Sequence, residues 1–330
     1  TAEKENREFL VISRGDSTLR GHYPLETEVL STSIEAETGK KMDGEIICPF
    51  FPEGGRYTFG NVHYVKDQDR LIPAGMTEFA KDKTFGFRSS DLTEYVEEKT
   101  KGRCRKEECV TVSLEELHSI DVEGIYRKLL EVHDMGKVIV NAVTYADLKV
   151  FCAAFVMAIK DGKKFMARSA AALPKVLGRV TDQPLLKKSQ LVGSETNGGI
   201  VLIGSHVKKT TDQLNCLKES EGDLEFMEFN VNTCFEQDGL KKEAERIVRD
   251  AETCIKAGKT AVIYTSRKLL APENLSKEEV LKISVDISDA VTSIIGKLTV
   301  KPGFIVAKGG ITSSDVGTKA LHVKKALVMG

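Results

Sequence analysis

Gly303-Phe304-Ile305-Val306-Ala307-Lys308-Gly309-Gly310-Ile311-Thr312-Ser313-Ser314-Asp315 decides how the chain is read. Phe304 to Ala307 is an apolar run of strand length, and the glycine pair after it ends the strand. Thr312, Ser313, Ser314 and Asp315 all suit a helix cap or first turn, so a helix is predicted from about Ser314 to Leu321. Glycines leave no Cβ to hold a ligand off the backbone. Turn amides and the positive end of a following helix together favour an anion, most often a phosphate. Lys308 adds a point charge. The plain alternative stays open, because such turns are common in α/β proteins and many bind nothing. The stretch is neither a Walker A sequence nor a G-x-G-x-x-G fingerprint.

The same pattern recurs upstream. Strands are predicted at Ile200–Ile203, Leu224–Phe229 and Thr260–Tyr264, with helices to Leu217, over Leu240–Ala257 and over Lys277–Lys297. That alternation predicts a parallel sheet with helices on both faces. Crossover topology sets the strand ends on one edge, so Gly204-Ser205, Thr265-Ser266-Arg267 and Lys308-Gly309-Gly310 converge. Three polar turns on one edge argue for a nucleotide or phosphate site better than one does. His206 reads as a turn residue, and Lys208 as a second candidate cation for phosphate.

Residues 178–199 carry glycines, Pro184 and Asn197 with little periodicity and read as a linker. Before it, strands are predicted at Phe9–Ser13, Glu45–Cys48, Cys109–Val112, Lys137–Val140 and Lys163–Ala167, and helices at Pro24–Ala36, Asp91–Lys99, Val122–His133 and Leu148–Ile159. Tyr57 to Pro73 reads as one hairpin turning at Lys66-Asp67-Gln68-Asp69. The loop Arg14-Gly15-Asp16-Ser17-Thr18-Leu19-Arg20-Gly21 is dense in polar handles. Two arginines flanking an acid and two hydroxyls suit a ligand both anionic and hydroxylated, although Asp16 or Ser17 could simply make a turn. Arg56 is a candidate carboxylate contact or an exposed loop arginine. Asn141 and Asp147 follow a strand's carboxyl end, where open α/β sheets bind ligands; Asp147 reads equally as a first-turn helix acid. His63 reads as a hairpin side chain.

The composition is that of an ordinary soluble protein, and 330 residues suggest two domains. A net charge of −1 gives no basic excess for nucleic acid, and no apolar run reaches membrane length. The seven scattered cysteines read as reduced cytosolic thiols, and Cys104 with Cys109 lacks the second close pair of a zinc site. The expected location is the cytoplasm. The chain opens on polar Thr1-Ala2-Glu3-Lys4 with no signal-peptide pattern and closes just after the apolar run Ala326 to Met329. Either a last strand or a truncated chain fits that end.

Together these motifs resemble the four-carbon acid sugar kinase family, which includes the YgbK-like proteins and tetronate kinases. The resemblance rests on Asp16-Ser17-Thr18-Leu19-Arg20-Gly21, Gly54-Gly55-Arg56, Gly204-Ser205 with Lys208 to Thr211, Tyr264-Thr265-Ser266-Arg267 and Lys308 to Asp315, in family order along almost the whole chain. It implies an α/β protein of two domains, each with a mainly parallel sheet flanked by helices, and an active site in the cleft between them. Residues 1–190 would bind the sugar acid and 200–330 the nucleotide. The implied function is ATP-dependent phosphorylation of a hydroxyl on a tetronate or 3-oxo-tetronate. Asp16 and Arg20 would be catalytic; Asp16, Ser17, Arg20, Arg56 and Asn141 would bind the sugar acid. Ser205, Ser266, Lys308, Gly309, Gly310, Ile311 and Thr312 would bind ATP. Mg²⁺ is expected from the chemistry, with ligands unassigned. The expected partners are small molecules, not nucleic acid or membrane, with room for a homodimer. Two departures stand out: family members carry an early Asp-Asp-x-Thr-Gly loop and a late Gly-Asn-Val-Gly-type segment, and neither is in this sequence. Arg168-Ser169-Ala170 resembles the YgbK-like branch. Two rivals remain, a non-catalytic nucleotide-binding or regulatory protein and a dinucleotide-dependent dehydrogenase. The missing G-x-G-x-x-G counts against the second.

Overall fold

The computed structural model describes residues 8–82, 84–192, 196–205, 208–268 and 275–327. His206 and the last residues of the closing apolar run lie outside that set, as does the Lys208 side chain. The chain forms two compact units, divided between Asp182 and Gln183.

The first unit contains, in order, β1 (Val11–Arg14), α1 (Leu25–Thr38), β2 (Gly44–Cys48), β3 (Arg56–Phe59), β4 (Val62–Asp67), β5 (Arg70–Pro73), α2 (Leu92–Thr100), β6 (Val110–Val112), α3 (Leu114–His118), α4 (Val122–Leu130), β7 (Gly136–Val140), α5 (Tyr145–Lys160), β8 (Phe165–Ser169) and α6 (Ala172–Leu177). Five strands make a parallel sheet in the order β1-β8-β2-β7-β6. β2 is buried along its whole length, as the run Glu45-Ile46-Ile47-Cys48 requires of a strand covered on both faces. The core on one side joins Ile46, Val138 and Val140 of the sheet to Leu148, Phe151 and Phe155 of α5. Glu45 and Lys137 stand in register on neighbouring strands and pair at 2.7 Å, with side chains 0% and 9% exposed.

The three antiparallel strands correct the single hairpin expected from Tyr57 to Pro73. β3 pairs β4, and β4 pairs β5. Gly60 and Asn61, read as strand residues, both take left-handed backbone with φ of 55° and 64°. Two consecutive positive φ values are what a two-residue hairpin turn demands, so Gly60-Asn61 is a turn.

In the second unit α7 (Lys188–Leu191) precedes β9 (Ile200–Ile203), α8 (Lys208–Lys218), β10 (Leu224–Phe229), α9 (Gly239–Lys256), β11 (Thr260–Thr265), α10 (Lys277–Lys297), β12 (Ile305–Lys308) and α11 (Gly310–Asp315). The sheet is parallel, ordered β10-β11-β9-β12. Its core sets Ile200, Leu202 and Ile263 against Ile247, Ala251 and Ile255 of α9 and Val291 and Ile294 of α10. The helix after the glycine pair begins at Gly310, not near Ser314. Gly309 has φ +118°, so the chain turns at that residue and the helix starts at the next. A π-turn over Val316–Ala320 continues it.

Candidate functional site

In the first unit the carboxyl end of β1 delivers the loop 15–21. Its backbone is held by three side chains from three other elements. His63 of β4 lies 2.8 Å from the Ser17 carbonyl, Tyr95 of α2 donates to the Leu19 carbonyl at 2.8 Å, and Arg168 of β8 donates to the Arg20 carbonyl at 3.1 Å. Leu19 is buried with φ +69°, a costly conformation for leucine that this framework sustains. Gly15 and Gly21 make room for Arg168. A Cβ at either would stand within 3.2 Å of its guanidinium. Arg168 also pairs with Glu26 at 2.8 Å and lies over the Tyr23 ring.

His63 is completely buried. Burial pushes its pKa down to about 4, so the ring is neutral at pH 7. A neutral ring serves both neighbours when Nε2–H donates to Ser17 O and Nδ1 accepts from Thr58 Oγ1, 2.9 Å away. The sequence reading as a hairpin side chain gave no sign of this tether, because the partners lie five and forty-six residues away.

The loop then presents Asp16 and Arg20. Arg20 Nε donates to Asp16 Oδ2 at 2.7 Å, and Thr18 also donates to that oxygen. Burial would raise the Asp16 carboxyl, but the bonds from Arg20 and Thr18 and the Arg20 charge outweigh it and hold the pKa below the ordinary value. Asp16 is therefore an ionised acceptor at neutral pH. Asp82 approaches the other side of the Arg20 fork at 3.7 Å. An open cleft of about 420 Å³ lies here, lined by Gly15, Asp16, Arg20, Asp82, Phe85 and Arg168 among others.

Arg56, first residue of β3, donates to the Gly54 carbonyl, while its Nε is buried with no partner among the described residues. Burial lowers its pKa, the Asp16 charge raises it and the Arg20 charge lowers it, so the three groups share one field. A half-buried guanidinium whose buried Nε lacks a partner calls for an acceptor or an anion. Asn141 stands differently. It is 1% exposed, and its amide accepts from Asn61 N at 2.9 Å and donates to Val112 O and Asn61 Oδ1 at 2.8 and 3.0 Å, locking the Gly60-Asn61 turn to the main sheet. Asp147 caps the start of α5, accepting from the Val143 and Thr144 amides. A cavity of about 490 Å³ at the amino end of β7, the opposite edge of the sheet, is lined by the Glu28–Arg103 pair, 2.7 Å apart, whose side chains are more exposed than those of Asp16 and Arg20.

In the second unit β9 lies between β11 and β12, so the three polar turns are neighbours. Gly204 meets Thr312 so closely that a Cβ would stand 2.4 Å from Oγ1, and a Cβ on Gly309 would lie 3.3 Å from the same hydroxyl. A Cβ on Gly310 meets nothing within 4 Å, and Ile311 is 74% exposed. The amides opening α11 have no acceptor within the helix. Ser205 is half-buried, and Ser266 Oγ accepts from Val231 N at 2.9 Å. Lys308 is half-buried at the end of β12.

In the sequence Arg267 stands out only within the Thr265-Ser266-Arg267 turn. It donates through Nη1 to the Ser205 carbonyl at 2.7 Å, while its buried Nε and Nη2 have no partner among the described residues. Burial lowers its pKa. It shares with Gly204, Thr265, Ser266 and Thr312 a cavity of about 350 Å³, to which α10 contributes Val280, Ile287 and Val291 along with Ser284 and Ser288. A pocket that combines spare guanidinium donors, hydroxyls and aliphatic side chains suits a ligand with an anionic part and a flat apolar part.

Residues 1–177 match the family model of a sugar-binding N-terminal domain, and residues 200–330 that of a nucleotide-binding C-terminal domain. A solved structure from Salmonella typhimurium LT2, described as a tRNA synthase, is 16% identical with a TM-score of 0.63, over 97% of this chain and 71% of that one. A Haemophilus influenzae protein of family DUF1537 is 18% identical with a TM-score of 0.52, over 97% of this chain and 72% of that one. At such identities these likenesses show the fold alone. No curated protein matches the chain. Both halves carry the paired sugar-binding and nucleotide-binding domains in order, and the chain belongs to the four-carbon acid sugar kinase family.

Proposed function

We propose that the protein transfers the γ-phosphoryl group of ATP to a hydroxyl of a four-carbon sugar acid. The observation that carries this reading is Arg56, a half-buried guanidinium whose Nε has no partner among the described residues, beside the Asp16–Arg20 pair. Asp16 and Asp82 both face Arg20, and Arg56 has no acid within salt-bridge distance among the described residues, so its charge suits a carboxylate on a hydroxylated ligand. Arg56 and Arg20 hold the carboxylate. Asp16 accepts from the acceptor hydroxyl and orients it, and Ser17 contributes a further polar contact. A carboxyl held below its usual range is a weak base, but phosphoryl transfer asks mainly for positioning and charge neutralisation. Asn141 supports the site through its turn.

The nucleotide reading draws support from the second unit. Ser205, the 309–312 turn (Gly309, Gly310, Ile311, Thr312) and Lys308 receive the phosphates, with Ser266 beside them, and the spare donors of Arg267 point to the same anion. The open ground over Gly310 and the aliphatic wall of α10 fit ATP. ATP supplies the phosphoryl group, and Mg²⁺ offsets its charge. Mg²⁺ in phosphoryl-transfer sites rests largely on phosphate oxygens and water. Among the described residues no group of three or more His, Cys, Asp or Glu side chains gathers, so no protein ligand is assigned.

The test is ADP release, measured by a coupled assay with tetronates and with neutral tetritols, alongside thermal shifts with ATP and with NAD. Turnover with a tetronate alone and a shift with ATP alone is the expected result. ATP binding without turnover on any tetronate would leave a binding protein, and a shift with NAD alone would overturn the kinase reading.

A further inference from the structure

Phe79 lies in the segment between β5 and α2, a stretch that no motif singles out. Two cations converge on its ring. The Arg20 Cζ is 5.0 Å from the ring centroid and the Arg56 Cζ 5.6 Å. The ring packs against the cluster that buries Leu19, Ala80, Phe87 and Tyr95, so the core that fixes loop 15–21 also fixes Phe79.

Two guanidinium groups this close repel each other. A pair of acids would be the usual remedy, but each added acid would compete with an incoming carboxylate. Only Asp16 pairs closely, and it serves Arg20; Asp82 stands 3.7 Å off and is already engaged by the Thr84 and Phe85 amides. Arg56 has no acidic partner within salt-bridge distance among the described residues. The negative face of an aromatic ring attracts both cations without presenting a carboxylate. We infer that Phe79 is a positioning residue for the sugar acid, a shared aromatic platform that holds Arg20 and Arg56 together, with Arg56 charged and without an acidic partner, for the substrate carboxylate. The inference deepens the kinase reading and rests on it.

A leucine at 79 keeps apolar bulk and loses the π face. In the intact protein, Phe79→Leu should raise the KM for D-erythronate or L-threonate by about five- to thirtyfold, the worth of one to two cation–π contacts. kcat and the KM for ATP should hold, the melting temperature should barely move, and Phe79→Tyr should restore most of the loss. A packing role alone would lower the melting temperature and spare the KM. An unchanged KM in a folded Phe79→Leu protein would overturn the inference. If the unaltered protein neither binds nor turns over a tetronate, the functional reading fails, and ¹H–¹⁵N spectra of the arginine Nε groups decide on Phe79. The platform predicts ring-shifted, exchange-protected Arg20 and Arg56 signals that move toward ordinary positions in Phe79→Leu. Signals already ordinary in the unaltered protein would overturn it.

Discussion

Arg20 reaches two carboxylates, tightly to Asp16 and loosely to Asp82. The loose side is where a substrate carboxylate has the least to displace. Arg20→Lys keeps the charge but loses the fork. The expected outcome is a sugar-acid KM raised about ten- to hundredfold, the worth of a charged hydrogen bond of ~1.5–3 kcal/mol, with the KM for ATP unmoved. Asp16→Asn separates two roles. A fall mainly in kcat marks an acceptor for the reacting hydroxyl, and a rise mainly in KM marks a binding group. Steady-state kinetics on both variants decide, and an unchanged sugar-acid KM in Arg20→Lys would make loop 15–21 a structural turn. Asp16 and Arg20 were legible because they crowd one short loop after a strand. Tyr95 and Phe79 were not, since each reaches that loop from a distant part of the chain and its own neighbours carry no signal; Arg168 stood out only in Arg168-Ser169-Ala170, which did not tell of its hold on the loop. The glycines that admit Arg168 were visible, but what they admit was not.

Single elements of the second unit read almost residue for residue, as with Ile200–Ile203 and Leu224–Phe229, because an apolar run between polar turns can be little else in an α/β protein. Strand order is another matter. The Glu45–Lys137 pair exists only because β2 lies beside β7 in register, and two charges opening two predicted strands do not announce it. Removing one partner leaves a buried, uncompensated charge. Lys137→Met should cost about 3–5 kcal/mol in urea unfolding, and adding Glu45→Met should recover most of that; a full-size loss persisting in the double variant would show that packing, not charge, matters there. β4 carries the second stability prediction. His63 binds its proton near 6.5 when unfolded and only near 4 when folded. Between those values the unfolded chain holds more protons, so this contribution is whole above about pH 6.5 and fades as the pH falls toward 4, by up to ~3 kcal/mol. Urea midpoints followed across that window should fall less steeply in His63→Gln. An equal slope would mean that His63 does not titrate as its burial implies.

At the scale of the molecule, two parallel sheets each gather their polar turns on one edge, and each edge collects a different chemistry. The first collects an acid and arginines; the second collects glycines, hydroxyls and Arg267. No helix among the described residues is long and apolar enough to cross a membrane. The division of labour makes the two ligands separable by a single substitution. Gly310 is the place to try it, because its backbone needs no positive φ and a new Cβ meets no protein atom. Gly310→Val should therefore fold with an unchanged melting temperature. Its side chain would occupy the ground where a phosphate must approach the first amides of α11. Calorimetry should show ATP affinity reduced about tenfold or more, while D-erythronate still binds to the first unit with its original affinity. Arg267→Met, which removes the spare donors without filling that ground, should also weaken ATP and leave D-erythronate alone. If Gly310→Val binds ATP as before while Arg267→Met does not, the phosphates sit in the pocket below α10 and the glycine turn is only a fold device. If both bind ATP unchanged, this edge of the second sheet is not the nucleotide site.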